Sequence, residues 1–305
     1  MCRAVIFRDK YQLENSNGFR KNQIEYENLC NVVLKMYIWK KIDVTKYEIK
    51  SEKIPLNFNN VKILQISDLH NALFGKGQEE IIGITKAIMP NYIFITGDLI
   101  DRYKKNIDRA MELVSAIVDL APIFYVAGNH EWEAGEAGKE LWTRLKNLGV
   151  VVLHDSIINI KKENSQIQIM GIDDPYSLPD NRSLNTYDRV SSKVFLKRFI
   201  KLNKAKEKDY TILLSHRPEF LHFYEKAGID IVFSGHAHGG QIRLPGIGGI
   251  LAPHQGFFPK YAEGVIKKGK TFMVVSRGLG NSCFPFRINN RPEMVVVILK
   301  SITRK

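Results

Sequence analysis

Cysteine is scarce in this chain, with only Cys2, Cys30 and Cys283 among 305 residues and no CxxC pair. That spacing excludes a disulfide framework and a thiolate metal knot, and it predicts reduced thiols. Long apolar runs are missing as well. The greasiest early stretch, LCNVVLKMYIW (Leu29 to Trp39), is broken by Asn31 and Lys35, so a spanning helix is not expected. The opening MCRAVIFRDKYQLENS lacks the basic, then apolar, then small order of an export signal. The expected location is therefore cytoplasmic, with peripheral contact at a membrane as a variant. Gly75-Lys76-Gly77 and Gly246 to Gly249 lack the GxxxxGK[ST] or GxGxxG context of a phosphate loop and read as turns. Internal repeats, low-complexity tracts and nucleic-acid modules are absent too. The net charge of +13 is spread along the chain rather than blocked, which favours phosphorylated small molecules or anionic lipid over nucleic acid.

What is present is a rhythm. Residues 1–55 read as an appendage of short mixed runs, in which residues 28–40 can form one helix with an apolar face. Across residues 56–305 short apolar runs recur: VKILQIS, YIFITG, IFYVAG, IQIMGI, YTILLS and IDIVFSG. These are strands buried on both faces. Helical patterns lie between them, such as Ile107, Ala110, Met111, Val114, Ile117 and Val118 on one helix face. The class is α/β. After Gly239 the helical pattern stops, and TFMVVS and MVVVIL add strands, the first preceded by a KKGK hairpin turn.

Five of these runs end in metal-ligand residue types: Asp68-Leu69-His70, Gly97-Asp98, Asn129-His130-Glu131, His216, and His236-Ala237-His238. Strand ends converge in α/β folds, so these side chains can meet. Asp and His at strand ends also cap loops, but capping does not account for five in succession. Oxygen and imidazole donors without thiolate suit Mn, Fe, Zn or Ni. About seven donors exceed one tetrahedral ion and point to a dinuclear centre, in which two ions roughly 3.5–4 Å apart promote in-line displacement at phosphorus.

The blocks DLH, GDLID, GNHE, the His of SHRP, and GHAH, in that order, resemble the calcineurin-like metallophosphoesterase superfamily. GHAHGGQIRLPG and VSRGLGNS…RPE further resemble its bacterial YkuE/YaeI-like phosphodiesterase subgroup, whose members commonly carry an amino-terminal membrane or export segment not seen here. The resemblance implies a sandwich of two mixed β-sheets flanked by helices, with the tail after Gly239 building the second sheet. It implies one metal on Asp68, His70, Asp98 and His238, and a second on Asp98, Asn129, His216 and His236. A metal-bound hydroxide would attack a phosphodiester, pyrophosphate or phosphomonoester, and His130 would contact the phosphate and protonate the leaving group. Glu131 would orient His130 or sit behind the ligands.

His254, Arg277 and Asn281 are further candidates for the substrate pocket, while His154 and His222 read as structural. Phe257 and Phe258 are expected to close the core, with contact to an apolar substrate as the other reading. Two rival functions remain open: a non-catalytic metal-binding interaction module, and a peripheral membrane hydrolase of lipid-linked pyrophosphate.

Overall fold

The computed structural model describes residues 41–177, 189–205, 207, 209–281 and 287–302. Along the chain lie strands β1 (Asp43–Ser51), β2 (Lys62–Ile66), β3 (Tyr92–Ile95), β4 (Ile123–Tyr125), β5 (Val151–Val152), β6 (Ser156–Lys162), β7 (Ser165–Ile172), β8 (Tyr210–Ser215) and β9 (Ile231–Ser234). They are followed by β10 (Arg243–Leu244), β11 (Gly248–Gly249), β12 (Leu251–Ala252), β13 (Gly256–Phe257), β14 (Gly264–Lys268), β15 (Thr271–Val275) and β16 (Glu293–Ser301). The helices are α1 (Glu79–Ile88), α2 (Ile107–Ile117), α3 (Asn129–Ala134), α4 (Glu136–Asn147), α5 (Arg189–Lys204) and α6 (Leu221–Lys226). None of the described helices is long and apolar enough to cross a membrane.

Two mixed six-stranded sheets result, in the orders β1-β16-β2-β3-β4-β5 and β14-β15-β9-β8-β7-β6. Their inner faces pack on each other through Ile63, Phe94, Phe124, Ile169, Ile212 and Phe233. Phe94 and Phe233 meet edge to face across the sheets at 5.0 Å. The outer face of the first sheet packs on α1, α2 and α4, and that of the second on α5 and α6. The face read for residues 107–118 is the buried one, and Asn106 caps α2 by accepting the Arg109 N–H at 3.1 Å.

Three expectations change. The appendage does not end at residue 55, because β1 pairs in parallel with β16 from Asp43↔Glu293 to Ser51↔Ser301. As an edge strand it shows Lys46, Glu48 and Lys50 to solvent, so it alternates rather than forming an apolar run. The tail after Gly239 is also divided between the sheets: β14 and β15 join the second, while β16, buried on both faces, lies inside the first. Finally, Phe257 and Phe258 are 72% and 66% exposed. The β12–β13 hairpin carrying them pairs two residues a side, too short to bury an apolar face. The helix expected over 28–40 lies outside the described residues.

Candidate metal centre

The parallel strands deliver their C-terminal ends to one place. Asp68 and His70 follow β2, Asp98 follows β3, Asn129 opens α3 after β4, His216 follows β8, and His236 and His238 follow β9. Main-chain bonds lace the turns together: the Asp68 and His70 amides donate to the carbonyls of Gly97 (3.0 Å) and Asp98 (2.9 Å). The Gln65 amide nitrogen, buried between the sheets, donates to Thr96 Oγ1 (3.0 Å) and the Ser234 carbonyl (2.9 Å).

The backbone is unusual here. Asp68, His70, Asp98, His236 and His238 all have positive φ, between 47° and 68°. For non-glycine residues this left-handed region is sparsely populated, and such residues cluster where function requires them. It also breaks the strand rule that i and i+2 point the same way, so His236 and His238 reach different partners. Two glycines admit this crowding. A Cβ on Gly128 would lie 2.1 Å from Asp98 Oδ1, and one on Gly235 would lie 2.0 Å from Ser67 Oγ.

Two buried donor groups form. In the first, His238 Nε2 lies 3.2 Å from His70 Nε2 and 3.4 Å from Asp68 Oδ1. In the second, His216 Nε2 lies 3.2 Å from Asp98 Oδ2 and 3.2 Å from His236 Nδ1. The same Asp98 oxygen is 3.5 Å from His70 Nε2, so one carboxylate stands between the groups. Asn129 is buried and its Oδ1 has no hydrogen-bond partner among the described residues.

Electrostatics leaves these groups ready for cations. Burial holds the His70, His236 and His238 imidazoles well below their usual range, so they are neutral donors. Burial raises Asp68 to about 6 against the pull of His216. Burial also raises Asp98, but His216 and His130 outweigh it and hold that carboxyl well below its usual range. His216 is lowered by burial and pushed up to about 10 by Asp98. Bound cations would take over the role of these protons, which is how an oxygen and imidazole set fits divalent metal ions.

A supporting ring orients the donors. His216 Nδ1 donates to the Thr96 carbonyl at 2.7 Å, so Nε2, which faces Asp98, is the nitrogen that would ligate once an ion takes the place of its proton. His236 Nε2 lies 2.6 Å from His254 Nδ1, with the rings within 4° of parallel. Arg217 Nη1 reaches both His254 Nδ1, at 2.5 Å, and His236 Nε2, at 2.8 Å. These contacts hold the Nε2 edge of the ring and turn His236 Nδ1 toward His216 in the second donor group. Arg217 is itself fully buried and held by both oxygens of Asp174. His130 Nδ1 faces the Arg102 amide at 3.1 Å and Asp101 Oδ2 at 3.5 Å, and its Nε2 lies 4.0 Å from Asp98 Oδ2; burial lowers this imidazole, but Asp98 and Asp101 outweigh it and raise it.

The structure thus brings Asp68, His70, Asp98, His216, His236 and His238 together, with Asn129 and His130 beside them. His254 joins through His236. Glu131 is not the partner of His130: its carboxylate accepts the amides of Asp98 (2.9 Å), Ile100 (3.1 Å) and Gly128 (2.8 Å). Arg277 is engaged by Asp43, Glu263 and Glu293, and Asn281 holds Arg287. Sequence reasoning missed Asp101, Asp174, Arg217 and Arg287. Asp101 was within the GDLID block and Arg217 directly follows His216, yet neither neighbour has a spacing that announces it.

Comparison with known proteins agrees with this geometry. Residues 61–240 match the model of the calcineurin-like phosphoesterase family. The chain is 30% identical to the metallophosphoesterase YkuE of Bacillus subtilis, over 85% of this chain and 86% of that one. It is 26% identical to the phosphodiesterase YaeI of Escherichia coli, over 78% and 82%. Among solved structures it is similar to the phosphopantetheinyl hydrolase PptH of Mycobacterium tuberculosis, with a TM-score of 0.45 and 12% identity over 72% of this chain and 90% of that one. From its strand-end donors to its matched sequence, this chain belongs to the calcineurin-like phosphoesterases and is a metal-dependent phosphoric ester hydrolase.

Proposed function

We propose that the protein is a dinuclear phosphodiesterase. One ion would be held by Asp68, His70, Asp98 and His238, and the other by Asp98, Asn129, His216 and His236. The observation that carries this reading is the single Asp98 oxygen, 3.5 Å from His70 Nε2 and 3.2 Å from His216 Nε2. Its donors favour Mn, Fe, Zn or Ni. Such ions supply Lewis acidity to a phosphoryl oxygen and lower the pKa of a water. The chain does the rest. His130 presents the Nε2 proton to a leaving oxygen, the positive-φ turns hold the donors apart, and Arg217 and His254 hold the His236 ring with Nδ1 toward the second ion. The similarity to a phosphodiesterase of Escherichia coli supports a diester over a monoester as this chain's substrate.

The test is release of nitrophenol from bis- and mono-p-nitrophenyl phosphate by the purified protein with Mn²⁺. Turnover of the diester with loss in Asp98→Asn, at unchanged folded content, supports the reading. No release from either ester refutes it, and substantial turnover by the variant removes Asp98 from the bridge.

A second reading adds peripheral membrane contact, which the exposed Phe257 and Phe258 favour together with the net charge of +13. Co-flotation with anionic but not neutral vesicles, lost when both are changed to Ser, supports it. Equal flotation of the variant counts against it.

A further inference from the structure

Behind the second donor group lies another set of metal-ligand types. Glu219 stands just before α6, His254 turns between β12 and β13, and His236 is shared with the second group; one donor atom from each comes within 4.8 Å of the others. Two imidazoles and a carboxylate are a set that holds zinc and its first-row neighbours. Here the chain's own cation sits among them. Arg217 Nη1 lies 2.5 Å from His254 Nδ1, 2.8 Å from His236 Nε2 and 3.5 Å from Glu219 Oε1.

The rest of that guanidinium is fixed as firmly. Nε donates to Asp174 Oδ2, Nη2 donates to Asp174 Oδ1 at 3.0 Å, and the guanidinium carbon stands 5.4 Å from the centre of the Tyr176 ring. Arg217 and Asp174 are both fully buried. The arrangement departs from the usual surroundings of a metal histidine, whose outer nitrogen donates to a carboxylate or carbonyl. Two imidazoles instead converge on a group that only donates. Two carboxyl groups, Asp174 and Glu219, also face one guanidinium, and Glu219 Oε2 is buried with no hydrogen-bond partner among the described residues. Burying such an oxygen alone is costly, and a dication in the place of Nη1 would satisfy it. That ion would draw on His236 from its Nε2 edge, while the second ion draws from Nδ1, which faces His216 Nε2 at 3.2 Å. A neutral imidazole has one lone pair to give, so the two ions would compete for this ring.

We propose that Arg217 is a tethered cation that fills a third metal site, one built for a divalent first-row ion, and thereby reserves His236 for the second ion. The proposal rests on the metal-dependent reading of the centre.

The experiment counts Mn²⁺ bound per folded chain, by equilibrium dialysis with elemental analysis. Arg217→Met removes the charge and keeps much of the side chain's bulk; Asp174→Asn/Arg217→Met does so without stranding a buried carboxylate. Each should bind one ion more than the wild type, and adding Glu219→Gln should remove that extra ion. Arg217→Lys keeps a cation there and should keep the wild-type count. Where Arg217→Met is unfolded without metal, Mn²⁺ should restore the fold, because an ion that binds only the native state stabilises it. Folded variants with the wild-type count overturn the proposal, and so does an extra ion indifferent to Glu219→Gln. Failure of both Arg217→Met proteins to fold at any Mn²⁺ concentration overturns it as well, since an ion then does not replace the guanidinium. Diester turnover by Arg217→Met should fall as the extra ion binds; level turnover would overturn the reservation of His236. The readout is a difference between proteins, so a wild type that holds a single ion strikes the dinuclear reading and leaves the increment to judge Arg217.

Discussion

Replacing Glu131 with Gln changes one atom and tests how the bridging aspartate is held. Glu131 is fully buried, and its two oxygens accept three main-chain amides: Asp98 at 2.9 Å, Gly128 at 2.8 Å and Ile100 at 3.1 Å. A glutamine keeps one oxygen. In its better orientation the oxygen serves Asp98 and Gly128, and the NH₂ group abuts the Ile100 N–H. One buried donor is then orphaned, at about 1–3 kcal/mol, and the remaining bonds lose their charge assistance, bringing the total to about 2–4 kcal/mol. For a chain of this size that corresponds to a fall of roughly 5–15 °C in Tm. Because the Asp98 and Gly128 turns lose their anchor, metal affinity should fall as well, by about 10- to 100-fold as for other residues behind a ligand. Thermal unfolding and metal titration of the two proteins measure both effects. A variant with wild-type Tm and wild-type metal affinity would refute the claim that this carboxylate fixes the site.

Removing the His130 side chain should slow diester turnover by about 10²- to 10⁴-fold, the range for a positioned proton donor, while bound metal stays near the wild-type level. Loss of metal in His130→Ala would instead make it a ligand. In His254→Phe the His236 ring loses its 2.6 Å polar partner on Nε2, so occupancy at the second ion should weaken by about 10- to 100-fold with the first ion retained. Equal weakening of both ions would disprove this selective support.

Much of the fold was legible because buried parallel strands write themselves as apolar runs: β2, β3, β4, β7, β8 and β9 were all visible. The donor set was legible because each donor sits within a few residues of such a run. What escaped has physical reasons. β1 and β6 expose one face and so alternate. β5 is two residues long. Arg217 meets Asp174 across 43 positions, and Arg287 approaches His238 across 49, contacts that no local pattern encodes. Nor does composition announce positive φ at non-glycine residues: in GHAHGG, His236 and His238 adopt it alongside Gly239 and Gly240. Phe257 and Phe258 were misjudged because apolarity alone does not tell a core residue from an exposed hairpin.

Whether two ions share Asp98 can be read from anomalous diffraction of crystals of the protein grown with Mn²⁺. Two peaks per chain are expected, one among Asp68, His70, Asp98 and His238, the other among Asp98, Asn129, His216 and His236. A single peak, or one ion bound by both His236 and His238, would contradict the sharing.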